Sequence, residues 1–120
     1  MFKMILKGSL ILALPVIAFS LYASTSPSKE VLAKQCHELS ETVASLVSSQ
    51  QKSTCVDKLV FASLKIESAG GLILDDFYGP ARDELDEAVY TLQYAELNSC
   101  NRYIQISHSK FEAQRIKSAL

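Results

Sequence analysis

The apolar residues that follow position 31 recur at the spacing of an α-helix. Between positions 32 and 46 the intervals are four, three, four and three residues, at Leu32, Cys36, Leu39, Val43 and Leu46. Residues three or four apart lie on one face of a helix, so the pattern predicts an amphipathic helix that must bury one side. We expect this helix to run from about 27 to 49, with Ser26 as its N-cap and Pro27 in its first helical position.

A second helix is predicted to follow. Thr54 and Asp57 have the spacing of a capping box, with Asp in place of the usual Glu or Gln. One side of the helix then carries Val56, Leu59, Val60, Ser63 and Ile66. Because Phe61 and Leu64 lie off this stripe, we expect the helix to be buried over a wide arc. The pair Gly70-Gly71 predicts that the helix ends there, at about residue 69.

A third helix is predicted to begin at Gly79-Pro80, because proline is favoured in the first turn of a helix. Its apolar stripe consists of Leu85, Ala88, Val89, Leu92 and Ala95. Residues 72–79 are expected to form the preceding loop. We expect Phe77 and Tyr78 of this loop to close one end of the bundle.

Residues 102–118 predict a fourth helix after the poor helix formers of 98–101. Ser109 and Glu112 again have the spacing of a capping box. A kink near 107–109 and continuity with the third helix are the two alternatives left open for this segment. A strand over 102–108 is disfavoured, since an isolated strand without a partner is unstable.

These segments predict an all-α fold, a small antiparallel bundle of three to four helices joined by short turns. The charges agree with this topology. Residues 75–96 carry seven acidic side chains and one Arg, whereas residues 98–120 carry four basic side chains and one Glu. Opposite charges on consecutive segments predict that the third and fourth helices face each other.

The N-terminal residues 1–23 have the order of a secretory signal peptide. Lys3 and Lys7 precede an apolar run at 10–19, which gives way to small residues at 20–26. Cleavage after Ala23 is expected, with cleavage after Ser20 as the alternative; an uncleaved membrane anchor is the competing interpretation. The predicted organisation is a signal peptide at 1–23 and one helical domain at 24–120. The protein is therefore expected to be secreted, or periplasmic in a Gram-negative cell, without membrane association after cleavage.

Three cysteines remain in the exported domain, in a compartment that permits disulfides. Cys55 opens the second helix and Cys100 follows the third, so an antiparallel pair brings both to one level. Cys36 lies about 20 Å from that level, at 1.5 Å per residue, and a disulfide spans only about 4.4–6.8 Å between Cα atoms. We therefore predict a Cys55–Cys100 disulfide and a buried, reduced Cys36; an intermolecular disulfide is the alternative for the third cysteine.

Composition and motifs exclude several classes of function. Without Lys3 and Lys7, the domain keeps 10 of the 12 basic residues and all 13 acidic ones. Its net charge is therefore near −3, which argues against nucleic-acid binding. The sequence contains no nucleophile or phosphate-loop motif, and no cofactor is expected. Two His–Glu pairs four residues apart, His37 with Glu41 and His108 with Glu112, are the only pattern suggestive of a metal site.

The leading interpretation is a non-enzymatic exported protein that acts by contact with another protein. Tyr90, Tyr94 and Tyr103 form the predicted contact surface, because Tyr is enriched at protein interfaces. The alternative is a small-ligand or metal carrier that uses the bundle interior, with His37 and His108 as first candidates. An enzyme that uses the carboxylates of Asp75-Asp76 ranks last.

Overall fold

Four α-helices make up most of the computed structural model, which describes residues 27–120. They are α1 (Lys29–Ser45), α2 (Ser53–Leu74), α3 (Tyr78–Leu97) and α4 (Tyr103–Ser118), with a 3₁₀ turn at Val47–Ser49 after α1. No strand occurs within 27–120. The all-α prediction is confirmed. The predicted signal peptide, its cleavage sites and the alternative anchor lie outside the described residues.

Each helix packs against two others, in the cyclic order α1, α2, α3, α4. Consecutive helices are antiparallel because the turns between them are short. The helices bury one continuous apolar cluster, to which every residue of the predicted α1 stripe belongs. The seam between α4 and α1, which closes the bundle, is the least extensive of the four.

The charges on α3 and α4 meet across their seam. Lys117 lies 2.6 Å from Asp86, and Lys110 lies 2.8 Å from Glu96. The uneven charge of the sequence therefore reflects two helices that face each other, as predicted.

Helix α1 begins two residues later than predicted. The side chain of Ser28 caps it by accepting a hydrogen bond from the amide of Val31 at 3.3 Å, so Pro27 precedes the helix. Ser26, the predicted cap, lies outside the described residues. Ser26 and Ser28 are both favoured cap residues and lie two positions apart, so the local sequence specifies the start of the helix only to within this distance.

Helix α2 starts at Ser53 and contains no capping box, because Thr54 already lies inside the helix. It also continues through Gly70-Gly71, so the predicted stop is wrong. The helix ends instead in a Schellman motif, in which Phe77 N–H donates to the Leu72 carbonyl at 2.9 Å. Asp76 takes the left-handed position of this motif, with φ 64°.

A second Schellman motif separates α3 from α4. Cys100 N–H donates to the Ala95 carbonyl at 3.4 Å, and Ser99 takes the left-handed position with φ 64°. Both alternatives for the fourth helix are therefore wrong: α3 and α4 are distinct, and α4 runs without interruption from Tyr103 to Ser118. Ser109 caps nothing, because it lies in the middle of α4 with 1% of its surface exposed.

The disulfide prediction is confirmed. Cys55 and Cys100 are bonded, with their Cα atoms 5.6 Å apart. Cys36 is free and fully buried. The bond joins the start of α2 to the α3–α4 turn. This position agrees with the prediction, in which two antiparallel helices of similar length bring Cys55 and Cys100 to the same height in the bundle.

Two predictions of burial are wrong. Phe61 and Leu64 are 42% and 63% exposed, because α2 packs only against α1 and α3 and its outer side faces solvent. Phe77 is 55% exposed and does not close the end of the bundle. Tyr78 is also exposed, and its hydroxyl donates to Asp76 at 3.2 Å.

Candidate functional site

Large apolar side chains are exposed very unevenly over this bundle. Thirteen of them are exposed among residues 27–120, and only Val31 belongs to α1. The outer side of α1 is charged instead, with Lys34 2.6 Å from Glu38. Single exposed apolar residues are ordinary, whereas clusters of them mark contact sites. The candidate functional surfaces therefore lie on α2, α3 and α4.

The first group, here called the α2–α3 face, comprises exposed side chains on these two adjacent helices: Phe61 and Leu64 on α2, and Tyr90 and Tyr94 on α3. Phe61 and Leu64 are three residues apart, and the two tyrosines are four apart, so each pair lies on one side of its helix. Tyr90 is 78% exposed and is the most open of the thirteen.

Two lysines of α2 hold the aromatic rings of this face in place. Lys58 Nζ lies 4.7 Å from the centre of the Tyr94 ring, and Lys65 Nζ lies 5.2 Å from that of Phe61. Lys65 also binds Glu84 at 3.1 Å, and this hydrogen bond raises the pKa of the Lys65 ammonium. Tyr94 and Phe61 therefore each contact a lysine, whereas Tyr90 is 78% exposed.

A groove of about 360 Å³ runs beside these rings between α2 and α3. Its lining consists of Thr54, Asp57, Lys58, Phe61 and Thr91. It combines one apolar wall with hydroxyl and charged groups. Such a mixture suits a protein or peptide side chain that is partly polar.

The second cluster, here called the α4 face, lies on the outer side of the last helix. It consists of Tyr103, Ile104, Ser107, His108 and Phe111, which together with Glu96 line a groove of about 310 Å³. Tyr103, Ile104 and Phe111 are 59%, 66% and 59% exposed. Ile104 and Phe111 are seven residues apart, which is close to two helical turns, so both project from one side.

An ion pair borders the α4 face. Lys110 binds Glu96 at 2.8 Å and also lies over the Phe111 ring, 4.6 Å from its centre. The hydrogen bond from Lys110 lowers the pKa of Glu96. The acidic and basic groups nearest this face therefore neutralise each other within the chain.

The structure does not bring the three predicted tyrosines together. Tyr94 turns toward α2 through its contact with Lys58, whereas Tyr103 lies on the α4 face. Sequence reasoning missed Ile104 and Phe111. Their seven-residue spacing, offset from the buried Ile106 and Ala113, was the available signal.

The two predicted His–Glu pairs also lie apart. His37 Nδ1 is 3.2 Å from Glu67 on α2, and its Nε2 is 3.6 Å from Glu41. His108 instead faces the α4 groove and the α1–α4 seam. Over residues 27–120 no three His, Cys, Asp or Glu side chains are placed to hold one metal ion.

The seam between α1 and α4 contains a groove of about 370 Å³. Six of its seven lining residues are polar or charged types; the seven are Gln35, Glu38, Leu39, Thr42, His108, Ser109 and Glu112. Arg115 spans one end of the seam, where it donates to Glu112 at 2.6 Å and to Gln35 at 3.1 Å. The bond from Arg115 lowers the pKa of Glu112.

Asp76 and Cys36 are the two side chains that most resemble catalytic residues, and the surroundings of both are structural. Asp76 accepts hydrogen bonds from Lys29 and Tyr78, which tie the start of α1 to the α2–α3 turn. Desolvation raises the pKa of the Cys36 thiol to about 11, and the carboxylate of Glu67 adds to the rise. The thiol therefore stays protonated at neutral pH and is a poor nucleophile.

No protein-family model, curated protein or solved structure matches this chain. None of the helices between residues 27 and 120 is both long and apolar enough to cross a membrane.

Proposed function

We propose that this chain is an exported, non-enzymatic protein that binds another protein through its α2–α3 face. The observation that carries the proposal is the cluster of three aromatic rings and Leu64 that is open to solvent. From their exposed fractions, these four side chains together leave roughly 400 Å² of mostly apolar surface open to solvent on two adjacent helices.

The composition of the face supports a protein partner. Aromatic residues are enriched at the centre of protein interfaces, and the rim around that centre is polar. Lys58 and Lys65 provide such a rim beside Tyr94 and Phe61.

Export is the second part of the proposal. The sequence of residues 1–23 supports it, and so does the Cys55–Cys100 disulfide, since such bonds persist in oxidising compartments. In a Gram-negative cell the protein would be periplasmic.

Site-specific photo-crosslinking in the exporting cell tests the binding surface. A photoreactive residue at Leu64 should yield one discrete adduct, whereas the same residue at Ala44, exposed on the outer side of α1, should not. The adduct should disappear when Tyr90→Ser and Tyr94→Ser are combined and should persist in Ile104→Ser. Equal labelling from positions 64 and 44, or an adduct that survives the Tyr90/Tyr94 substitutions, would contradict the proposal.

The groove between α1 and α4 favours a second candidate, a carrier of a small polar ligand. Its lining offers an imidazole, two carboxylates, two hydroxyls and an amide. Native mass spectrometry of the exported protein should then show a bound molecule that is lost in His108→Ala and retained in His37→Ala. A mass equal to that of the bare chain would exclude this carrier.

A further inference from the structure

The loop before α2 and the α3–α4 turn are joined by hydrogen bonds that do not involve the disulfide. The Gln50 side chain pairs with the backbone of Asn101 in both directions. Its Nε2 donates to the Asn101 carbonyl at 2.9 Å, and its Oε1 accepts from the Asn101 amide at 2.8 Å. Asn101 Nδ2 in turn donates to the Ser49 carbonyl at 2.7 Å. These three hydrogen bonds are here called the Gln50–Asn101 clamp.

A further hydrogen bond lies on the other side of Cys100. Lys52 Nζ donates to the Asn98 carbonyl at 3.3 Å. Cys100 therefore lies between two residues, Asn98 and Asn101, that are both bound to the loop before α2. The amide of Cys100 itself donates to the Ala95 carbonyl at 3.4 Å, in the Schellman motif. The backbone of Cys100 is thus positioned by contacts that do not depend on the sulfur atoms.

We propose that the clamp places Cys100 against Cys55 before the two are oxidised, so that the disulfide forms in the folded, reduced domain. Gln50 is then a positioning residue for this bond. Cys36 takes no part, because it is buried on α1 and lies against Gly70, near the opposite end of α2 from Cys55. The fold therefore decides which thiols pair.

The oxidation is a thiol–disulfide exchange in which a small disulfide is the oxidant. The thiolate of one cysteine attacks the small disulfide, forms a mixed disulfide and releases one thiol. The thiolate of the second cysteine then attacks the mixed disulfide, closes the Cys55–Cys100 bond and releases the second thiol. The two protein thiols lose two electrons and two protons, which the small disulfide takes up as it becomes two thiols. Cys55 lines a pocket of about 150 Å³ at this end of the bundle, which gives a small disulfide access.

Equilibration of the exported protein with reduced and oxidised glutathione tests the role of Gln50. Gln50→Ala should lower the equilibrium constant for disulfide formation by roughly three- to tenfold, because both of its bonds to Asn101 are lost. A tenfold change corresponds to about 30 mV in the reduction potential of the cysteine pair. Gln50→Glu, which keeps the shape of the side chain and loses its donor, should change the constant in the same direction.

Two controls separate positioning from a general loss of stability. Gln51→Ala, at the exposed neighbouring position, should stay within about twofold of wild type, because Gln51 takes no part in the clamp. Ile116→Val removes a buried methyl group at the other end of α4. It destabilises both redox forms equally and should therefore leave the exchange constant unchanged. Exchange constants of Gln50→Ala and Gln50→Glu equal to that of wild type would overturn the proposal.

The reduced protein provides the second readout. In the presence of a reductant, wild type should keep its helical circular dichroism and unfold cooperatively in urea. After reoxidation, peptide mapping should recover the Cys55–Cys100 pair and a free Cys36. An unfolded reduced protein would overturn the proposal, and so would a reoxidised product in which Cys36 is bonded to either of the other two.

Discussion

Gly70 on α2 lies directly against Cys36 on α1. A Cβ atom built on Gly70 would be 3.2 Å from Cys36 Cβ and 3.3 Å from the Ala33 carbonyl oxygen. The absence of a side chain at Gly70 is therefore what allows α1 and α2 to approach at this level, and it explains a buried glycine near the C-terminal end of α2.

The neighbouring glycine provides a matched control for this contact. Gly71→Ala should stabilise the protein by about 0.5–1 kcal/mol, because nothing lies within 4 Å and alanine is the better helix former. Gly70→Ala should instead destabilise it by about 1–2 kcal/mol, since the gain in helix propensity is smaller than the strain of overpacking against a backbone oxygen. Urea denaturation measures both, and stabilisation by both substitutions would refute the close contact.

The disulfide should contribute strongly to stability. Replacement of both Cys55 and Cys100 by Ser should lower the free energy of unfolding by roughly 2–4 kcal/mol, because the bond constrains the unfolded chain across 45 residues. Thermal unfolding of wild type and variant measures the loss. Peptide mapping without reduction should recover the Cys55–Cys100 peptide, and a peptide that links Cys36 to either one would contradict the structure.

Cys36 should be inert in the folded protein. With its pKa at about 11, roughly one thiol in a thousand is ionised at pH 8, and the side chain is fully buried. Iodoacetamide should therefore label Cys36 rapidly in denaturant. Without denaturant, the labelling rate should be limited by the rate at which the protein unfolds. Rapid native labelling, read by mass spectrometry, would show that the thiol is accessible.

The ion pair between Lys110 and Glu96 should make stability depend on acidity. The folded-state pKa of Glu96 lies below its unfolded value of about 4.3, so the pair stabilises the fold fully above that pH. This contribution is lost as the pH falls through the folded-state pKa. Between about pH 5 and pH 2, wild type should lose more stability than Glu96→Gln. Parallel curves for the two proteins would contradict this.

Export should leave a new N terminus. Mass spectrometry of the exported protein should place it between Leu21 and Ser26, because the apolar run ends in small residues that signal peptidase accepts. An intact Met1 in the membrane fraction would favour the anchor instead.

The helical fold and the disulfide could be predicted because both depend on periodicity. The stripe from Leu32 to Leu46 requires a helix with one buried side, and all five of its residues are buried. The equal rise of two antiparallel helices then brings Cys55 level with Cys100 and leaves Cys36 out of reach. Neither inference needs the identity of the neighbouring side chains.

The helix ends and the exposed faces depended on tertiary structure. Gly70-Gly71 is a local stop signal, yet packing against Cys36 on α1 carries the helix through it, and Asp76 takes the left-handed position that glycine usually fills.

The sequence by itself determined that Phe61 and Leu64 lie on a helix and off its main apolar stripe, and that Ile104 and Phe111 lie on a helix. Only the bundle decided that they face solvent, because each helix packs against two others and leaves one side uncovered. The same packing directs Tyr94 toward α2 and places Tyr103 on the α4 face, since a helix position acquires its environment only when its neighbours are in place.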